Sequence, residues 1–159
     1  MGEKWKQESV WDYPRPPRLE KVSHHISVEH DGLELVSTYG AVRILETSHP
    51  PTYYLPIADF APGVLAPVAG QTFCEFKGAA SYFDLIVNGK RIERAAWTYE
   101  NPNSGYEELL GKVAIYANRV DRCVVGDEVV APQAGDFYGG WITSNIVGPF
   151  KGAPGTWGW

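Results

Sequence analysis

The dipeptide Asn88-Gly89 constrains this chain more than any other feature. A two-residue type I′ turn needs positive φ at both central positions, and Asn followed by Gly tolerates that best. The flanking segment, Tyr82 to Ile92, is rich in Val, Ile, Leu and aromatic residues, so it closes as an antiparallel hairpin. The same reading applies to His30-Asp31-Gly32 within Ile26 to Val36, and to Gly126-Asp127 within Arg122 to Val130. Further strands are expected at Ala41 to Thr47, Thr72 to Glu75, Ala95 to Tyr99 and Lys112 to Ala117. Helical character is confined to Trp5 to Val10 and to Ser104 to Leu110, where Ser104 is placed as N-cap and Glu107 as its capping-box partner. Many short strands with one or two short helices predict a mainly β fold, either an antiparallel sandwich or a partly open barrel.

Three prolines in the four residues Pro14-Arg15-Pro16-Pro17 force an extended course, so no helix crosses them. The expected organisation is one domain over 1–159, with a Pro-rich arm over about 1–20 and a Gly/Trp-rich tail over about 137–159. Phe150, Trp157 and Trp159 of that tail are expected to dock on the domain rather than fray. A net charge of -5 opposes nucleic-acid binding, because phosphates demand a basic face. No apolar run approaches the ~20 residues that cross a bilayer, so no membrane association is expected. Cys74 and Cys123 lie far apart with no secretory signal ahead of them, which suits reduced thiols in the cytoplasm.

The four histidines, His24, His25, His30 and His49, have no metal-ligand spacing, and two thiols alone do not close a zinc site. Neither a metal nor a cofactor is expected. Ser81, Tyr82 and Asp84 lack a nearby His and a nucleophile elbow, which leaves no hydrolase pattern. Glu46, His49, Tyr53 and Tyr54 belong to a stretch that ends a strand and turns through Pro50, Pro51 and Pro56, so they are placed at a sheet rim where sites are built. In the competing structural role, Glu46 pairs with Arg43 or Lys77. Lys77 precedes Gly78-Ala79-Ala80, small residues that leave room for a guest. Trp97 and Tyr99, two apart on one strand, present two aromatic rings to one face.

Several runs together resemble the domain-of-unknown-function family 427, sometimes labelled nucleotidyltransferase-like. They are Trp11-x-Tyr13-Pro-Arg-Pro-Pro, Glu46-Thr47-x-x-Pro50-Pro51-x-Tyr53-Tyr54-x-Pro56, Cys74-x-x-Lys77-Gly78-x-Ala80-x-Tyr82, Ala96-Trp97-x-Tyr99-x-x-Pro102 and Phe137-Tyr138-Gly139-Gly140-Trp141. The tail through Trp159 is similar to members from cyanobacteria and plants. The resemblance implies a compact, mostly β domain related to the β-tent folds, several of which carry zinc on Cys-x-x-Cys pairs that this sequence lacks. It carries over no catalytic residues, and the sequence has neither a Gly-Ser dipeptide followed by Asp-x-Asp nor a P-loop to support nucleotidyl transfer.

The leading expectation is a cytoplasmic β domain, a monomer or weak dimer. It binds a small polar or elongated organic molecule in an aromatic-lined cleft or tunnel walled by Glu46, Tyr53, Tyr54, Lys77, Tyr82, Trp97 and Tyr99. Two alternatives stay open: an enzyme using Lys77 and Glu46 as a polar pair in the same cleft, and a scaffold whose exposed aromatics and Pro-rich arm bind another protein.

Overall fold

A computed structural model describes residues 6–74, 76–133 and 139–151, with the backbone alone at Phe73 and Cys74. Its strands, in chain order, are β1 (Glu8–Ser9), β2 (Arg18–Lys21), β3 (Ile26–His30), β4 (Leu33–Thr38), β5 (Val42–Leu45), β6 (Thr52–Pro56), β7 (Leu65–Cys74), β8 (Gly78–Val87), β9 (Lys90–Tyr99), β10 (Lys112–Ile115), β11 (Arg122–Val125), β12 (Glu128–Val129), β13 (Ala131–Pro132), β14 (Trp141–Ile142) and β15 (Ile146–Val147). Seven of them form one sheet in the order β2-β5-β6-β10-β9-β8-β7, and four form a second, β12-β11-β3-β4. The larger sheet ends on two edges, β2 and β7, so the fold is a mainly antiparallel sandwich and not a closed barrel.

The turn chemistry acts as the sequence dictates. Asn88 and Gly89 adopt φ of 52° and 76° between β8 and β9, and Asp31 and Gly32 adopt 52° and 78° between β3 and β4. The two tips meet, because Asn88 Nδ2 donates to both the carbonyl and a carboxylate oxygen of Asp31 at 3.0 Å.

Other expectations need correction. Thr52–Pro56 is no rim but an inner strand, β6, paired to β5 and β10; its prolines bracket the strand instead of interrupting it. Arg18–Lys21, assigned to the arm, pairs with β5 as an edge strand. The segment read as helical before Val10 holds β1 and a 3-10 turn at Val10–Asp12, where Ser9 Oγ accepts the Trp11 N–H; Trp5 lies outside the described residues. Ser104 to Leu110 winds only one 3-10 turn, Glu107–Leu109. Gly105 at φ +94° breaks any helical start, and Glu107 accepts from the Gly105 N–H instead of completing a capping box.

The sandwich core lies between the sheets, with Ile26, Val28, Leu35 and Val36 from one and Tyr53, Leu55, Leu85, Ala96, Val113 and Ile115 from the other. Successive strand residues face opposite ways. The intervening positions of the larger sheet, Val42, Ile44, Tyr54, Ala80, Trp97, Tyr99 and Ala114, form a second cluster on its outer face, covered by Tyr106 and Leu109.

A third cluster, Val10, Tyr13, Leu45 and Ile146 with Phe150 against it, joins the two ends of the chain. There β1 pairs in parallel with β15, and the Trp11 indole N–H donates to the Pro149 carbonyl at 3.0 Å. Phe150 thus docks as expected, whereas Trp157 and Trp159 lie outside the described residues. Arg43 is buried beside this cluster at 5% exposure and binds Glu8 and Glu20, its Nη2 2.9 Å from Glu8 and its Nε 2.7 Å from Glu20. Burial alone raises the Glu8 carboxyl, but hydrogen bonds from Arg43 and Tyr13 outweigh it and hold the group below the usual carboxylate range.

Arg43→Ala leaves Glu8 and Glu20 without their shared cation. It is expected to cost about 3 kcal/mol in denaturant unfolding, near the lower end for a broken buried pair because both carboxylates keep partial access to water. A loss below about 1 kcal/mol would show that the arm is not held by this ion pair.

Candidate functional site

The outer face of the larger sheet holds a cavity of about 290 Å3. Its floor follows from the period of two: β6 contributes Thr52 and Tyr54, β8 contributes Ala80 and Tyr82, β9 contributes Trp97 and Tyr99, β5 with the residue just past it contributes Ile44 and Glu46, and β7 contributes Thr72. Pairing sets these side chains in rows. Trp97 lies between Tyr82 and Ala114, and Ala80 lies between Tyr99 and Thr72. Ala80 leaves space between its large neighbours, so the face is concave there.

The aromatic walls hold one another. The Trp97 indole N–H donates to Tyr54 Oη at 3.3 Å, with the rings edge to face at 6.2 Å, and Tyr116 packs on Trp97 at 4.5 Å. Tyr54 and Tyr99 lie 6.1 Å apart, and Lys77 Nζ sits 5.9 Å from the centre of the Tyr99 ring. Tyr82 Oη shares a 2.7 Å hydrogen bond with Thr72 Oγ1. Lys77 and Glu46 are half-buried, and neither forms an ion pair with a described residue.

His49, Pro50, Gln133 and Gly139 complete the lining. Gln133 is buried and ties these segments together: its Oε1 accepts the Gly140 N–H at 3.0 Å, and its Nε2 donates to the Lys151 carbonyl at 2.6 Å and lies 3.5 Å from His49 Nδ1. Gly139 lies against the Trp97 ring so closely that a Cβ there would fall 2.1 Å from the indole. Burial, with Lys77, Lys151 and Arg15 adding repulsion, pushes the His49 pKa down to about 4, so the imidazole is neutral at physiological pH.

Six of the seven expected lining residues, Glu46, Tyr54, Lys77, Tyr82, Trp97 and Tyr99, border this one cavity. Tyr53 does not: as the neighbour of Tyr54 on β6 it points into the sandwich core and stacks on Trp141 at 5.2 Å. The pairing of Glu46 with Arg43 fails because Arg43 is committed to Glu8 and Glu20. Thr52, Thr72, Tyr116 and Gln133 were not foreseen. Thr52 and Tyr116 lie two residues from Tyr54 and Ala114, a spacing that marks them in retrospect, whereas nothing in the sequence around Gln133 points to its place. Among the described residues no three His, Cys, Asp or Glu side chains gather as a metal set. Cys123 is buried in the core, where desolvation pushes its thiol up to about 12; the Cys74 side chain lies outside the described residues. No helix among the described residues is long and apolar enough to cross a membrane.

Fold and site together define an all-β sandwich domain with an aromatic recess on the outer face of its larger sheet. The chain belongs to the family described as Domain of unknown function (DUF427), whose model matches residues 18–126. That stretch carries the recess from Ile44 to Tyr116 and leaves out Gln133 and Gly139. No curated protein matches the chain.

Two outcomes follow from the rim of the recess. Gly139→Ala forces the pinned Trp97 ring to move, at about 1–3 kcal/mol in unfolding free energy, and shifts the Trp97 indole N–H resonance; an unmoved resonance would show that Gly139 does not set the ring. For His49, the folded protein takes the proton only near pH 4 and the unfolded chain near 6.5, so stability is complete above 6.5 and falls as pH drops from there toward 4. His49→Gln is expected to remove about 1–3 kcal/mol of this acid sensitivity, read as the difference between melting curves at pH 7 and pH 5. Equal pH slopes for the two proteins would refute the half-buried, neutral imidazole.

Proposed function

We propose that this domain binds a small polar or elongated organic molecule in the recess on its larger sheet. One observation carries the reading: Lys77 and Glu46, with no ion-pair partner among the described residues, border a cavity otherwise walled by Tyr54, Tyr82, Trp97 and Tyr99. A charge buried for the sake of the fold is matched by an opposite charge or a hydrogen bond, as Arg43 is, whereas the half-buried Lys77 and Glu46 keep contact with water and with the recess. Here the two charges face a space bounded by aromatic faces. That combination suits a guest with a flat or apolar body and polar ends, since ring faces supply contact area and the few polar groups fix orientation. The volume sits at the small end of ligand pockets, which run from about 300 to 1,000 Å3.

Native mass spectrometry of protein purified from its own host is expected to show a retained small molecule. In a thermal-shift screen of metabolites run in parallel, Lys77→Ala is expected to keep its stability within about 1 kcal/mol of wild type while losing about tenfold in affinity for the stabilising compound. Ala80→Leu, which fills the floor between Tyr99 and Thr72, is expected to abolish the shift. Unfolding of Lys77→Ala, or binding undiminished in both variants, would make these residues structural and remove the recess as the site.

A further inference from the structure

A second, open hollow of about 240 Å3 shares the Tyr82 and Tyr116 walls of the recess and is bordered by the exposed Arg94, Asn118 and Arg119. Two irregularities beside Tyr82 make it. Phe83 pairs with Ala96 but Leu85 pairs with Ile92, so Glu93, Arg94 and Ala95 bulge out of β9 opposite Asp84. On the other flank of β8, β7 bulges between Val68 and Gln71, and a Cβ on Gly70 there would lie 3.6 Å from Arg94 Nη1. The Arg94 side chain lies over Tyr82, its guanidinium carbon 4.2 Å from the ring centre.

Arg94 adopts a φ of 47°, a left-handed conformation that disfavours any residue with a Cβ. The backbone there needs only an N–H, which Asp84 Oδ1 accepts at 2.8 Å while Oδ2 takes Arg91. Those two bonds, the Arg94 N–H first, hold the Asp84 carboxyl below its usual range. Glycine would satisfy the fold at this position, so the arginine side chain is what the position is for. Stacking on Tyr82 uses the face of the guanidinium and leaves its N–H edges open to a forked oxyanion. Neither Arg94 nor Arg119 forms an ion pair with a described residue, in a chain with 19 acidic and 14 basic side chains. At the other end of the recess, Lys77, Lys151 and Arg15 are close enough to repel a proton from His49.

We propose that the second hollow is an oxyanion subsite and that the guest of the recess is an organic acid. Its flat body lies against Trp97 and its carboxylate or phosphate group passes Tyr82 and Tyr116 to reach Arg94, Arg119 and Asn118. The inference rests on the recess being a ligand site, and it deepens that reading by naming the chemical class.

The test is an NMR titration at constant ionic strength with phenyl phosphate, phenylacetate, phenol and inorganic phosphate, following the Trp97 indole N–H and the arginine Nε–H signals. Both aryl anions are expected to bind about tenfold or more tighter than phenol, and R94Q and R119Q each to lose about tenfold for the anions with phenol unchanged. R94G is expected to melt within about 4 °C of wild type yet lose the anion preference, which separates the subsite from fold support. Anions no tighter than phenol, or anion affinity unchanged in R94Q and R119Q, would overturn the proposal. If no aryl compound moves Trp97, the recess falls as a site and the organic-acid guest with it; saturable shifts of Arg94 and Arg119 with inorganic phosphate then uphold the oxyanion subsite alone, and their absence overturns that too. A carboxylate guest and a phosphate guest are told apart by whether phenylacetate or phenyl phosphate binds more tightly.

Discussion

Everything in this fold depends on a seven-stranded sheet whose inner strands bury both of their faces. A sheet with one wet face sorts apolar from polar residues, but this one sends apolar and aromatic residues to both faces, with Tyr54, Trp97 and Tyr99 outward and Tyr53 inward. Tyr53 and Leu55 enter the sandwich core while Tyr54 between them enters the outer cluster, and Ala96 enters the core while Trp97 faces outward. A slip of one residue in β6 or β9 would exchange the two sets, driving Trp97 into a space filled by Ala96. Core packing therefore fixes the geometry of the recess without any residue dedicated to that purpose, and the bulges at Gly70 and Arg94 are placed where the sheet departs from this regularity.

The outer face stays concave because two kinds of covering meet there. Tyr106 and Leu109 cap one side, and the Tyr106 hydroxyl donates to the Pro17 carbonyl of the N-terminal arm at 2.6 Å. On the other side Gln133, Gly139 and Gly140 bring a late part of the chain against Pro50 and Trp97, where neither glycine has space for a Cβ. On that second side the covering is largely backbone at Gly139 and Gly140, which closes over the Trp97 ring without filling the gap beside it.

Much of this was legible from particular residues. Asn88-Gly89 and Asp31-Gly32 placed two hairpins because positive φ is a property of those residues themselves. Trp97 and Tyr99 were placed on one face because alternation is a local rule. The stretch from Glu46 to Pro56 was harder, since Pro50, Pro51 and Pro56 are turn signals whether they interrupt a strand or bracket one, and only its pairing with β5 and β10 decides. Tyr53 was misplaced for the same reason: which of two adjacent tyrosines faces the core depends on register with strands distant in sequence. Gln133 and the arginine pair of Arg94 and Arg119 carried no local signal, because their roles come from segments that meet only in three dimensions.

The pairing of β1 with β15 has a consequence in time as well as in space. Trp11 and Pro149 are 138 residues apart in the chain, so bringing them together closes nearly the longest loop the chain can form. The entropy of that closure is offset only once the strands between them have packed. The hairpins β3–β4 and β8–β9, with two residues in each turn, need no such delay. The clasp of Val10, Tyr13, Leu45 and Ile146 is accordingly expected to assemble late, after the hairpins. Contacts made after the folding barrier leave the folding rate nearly untouched and act on unfolding, so the clasp works as a latch that sets how long the finished sandwich lasts.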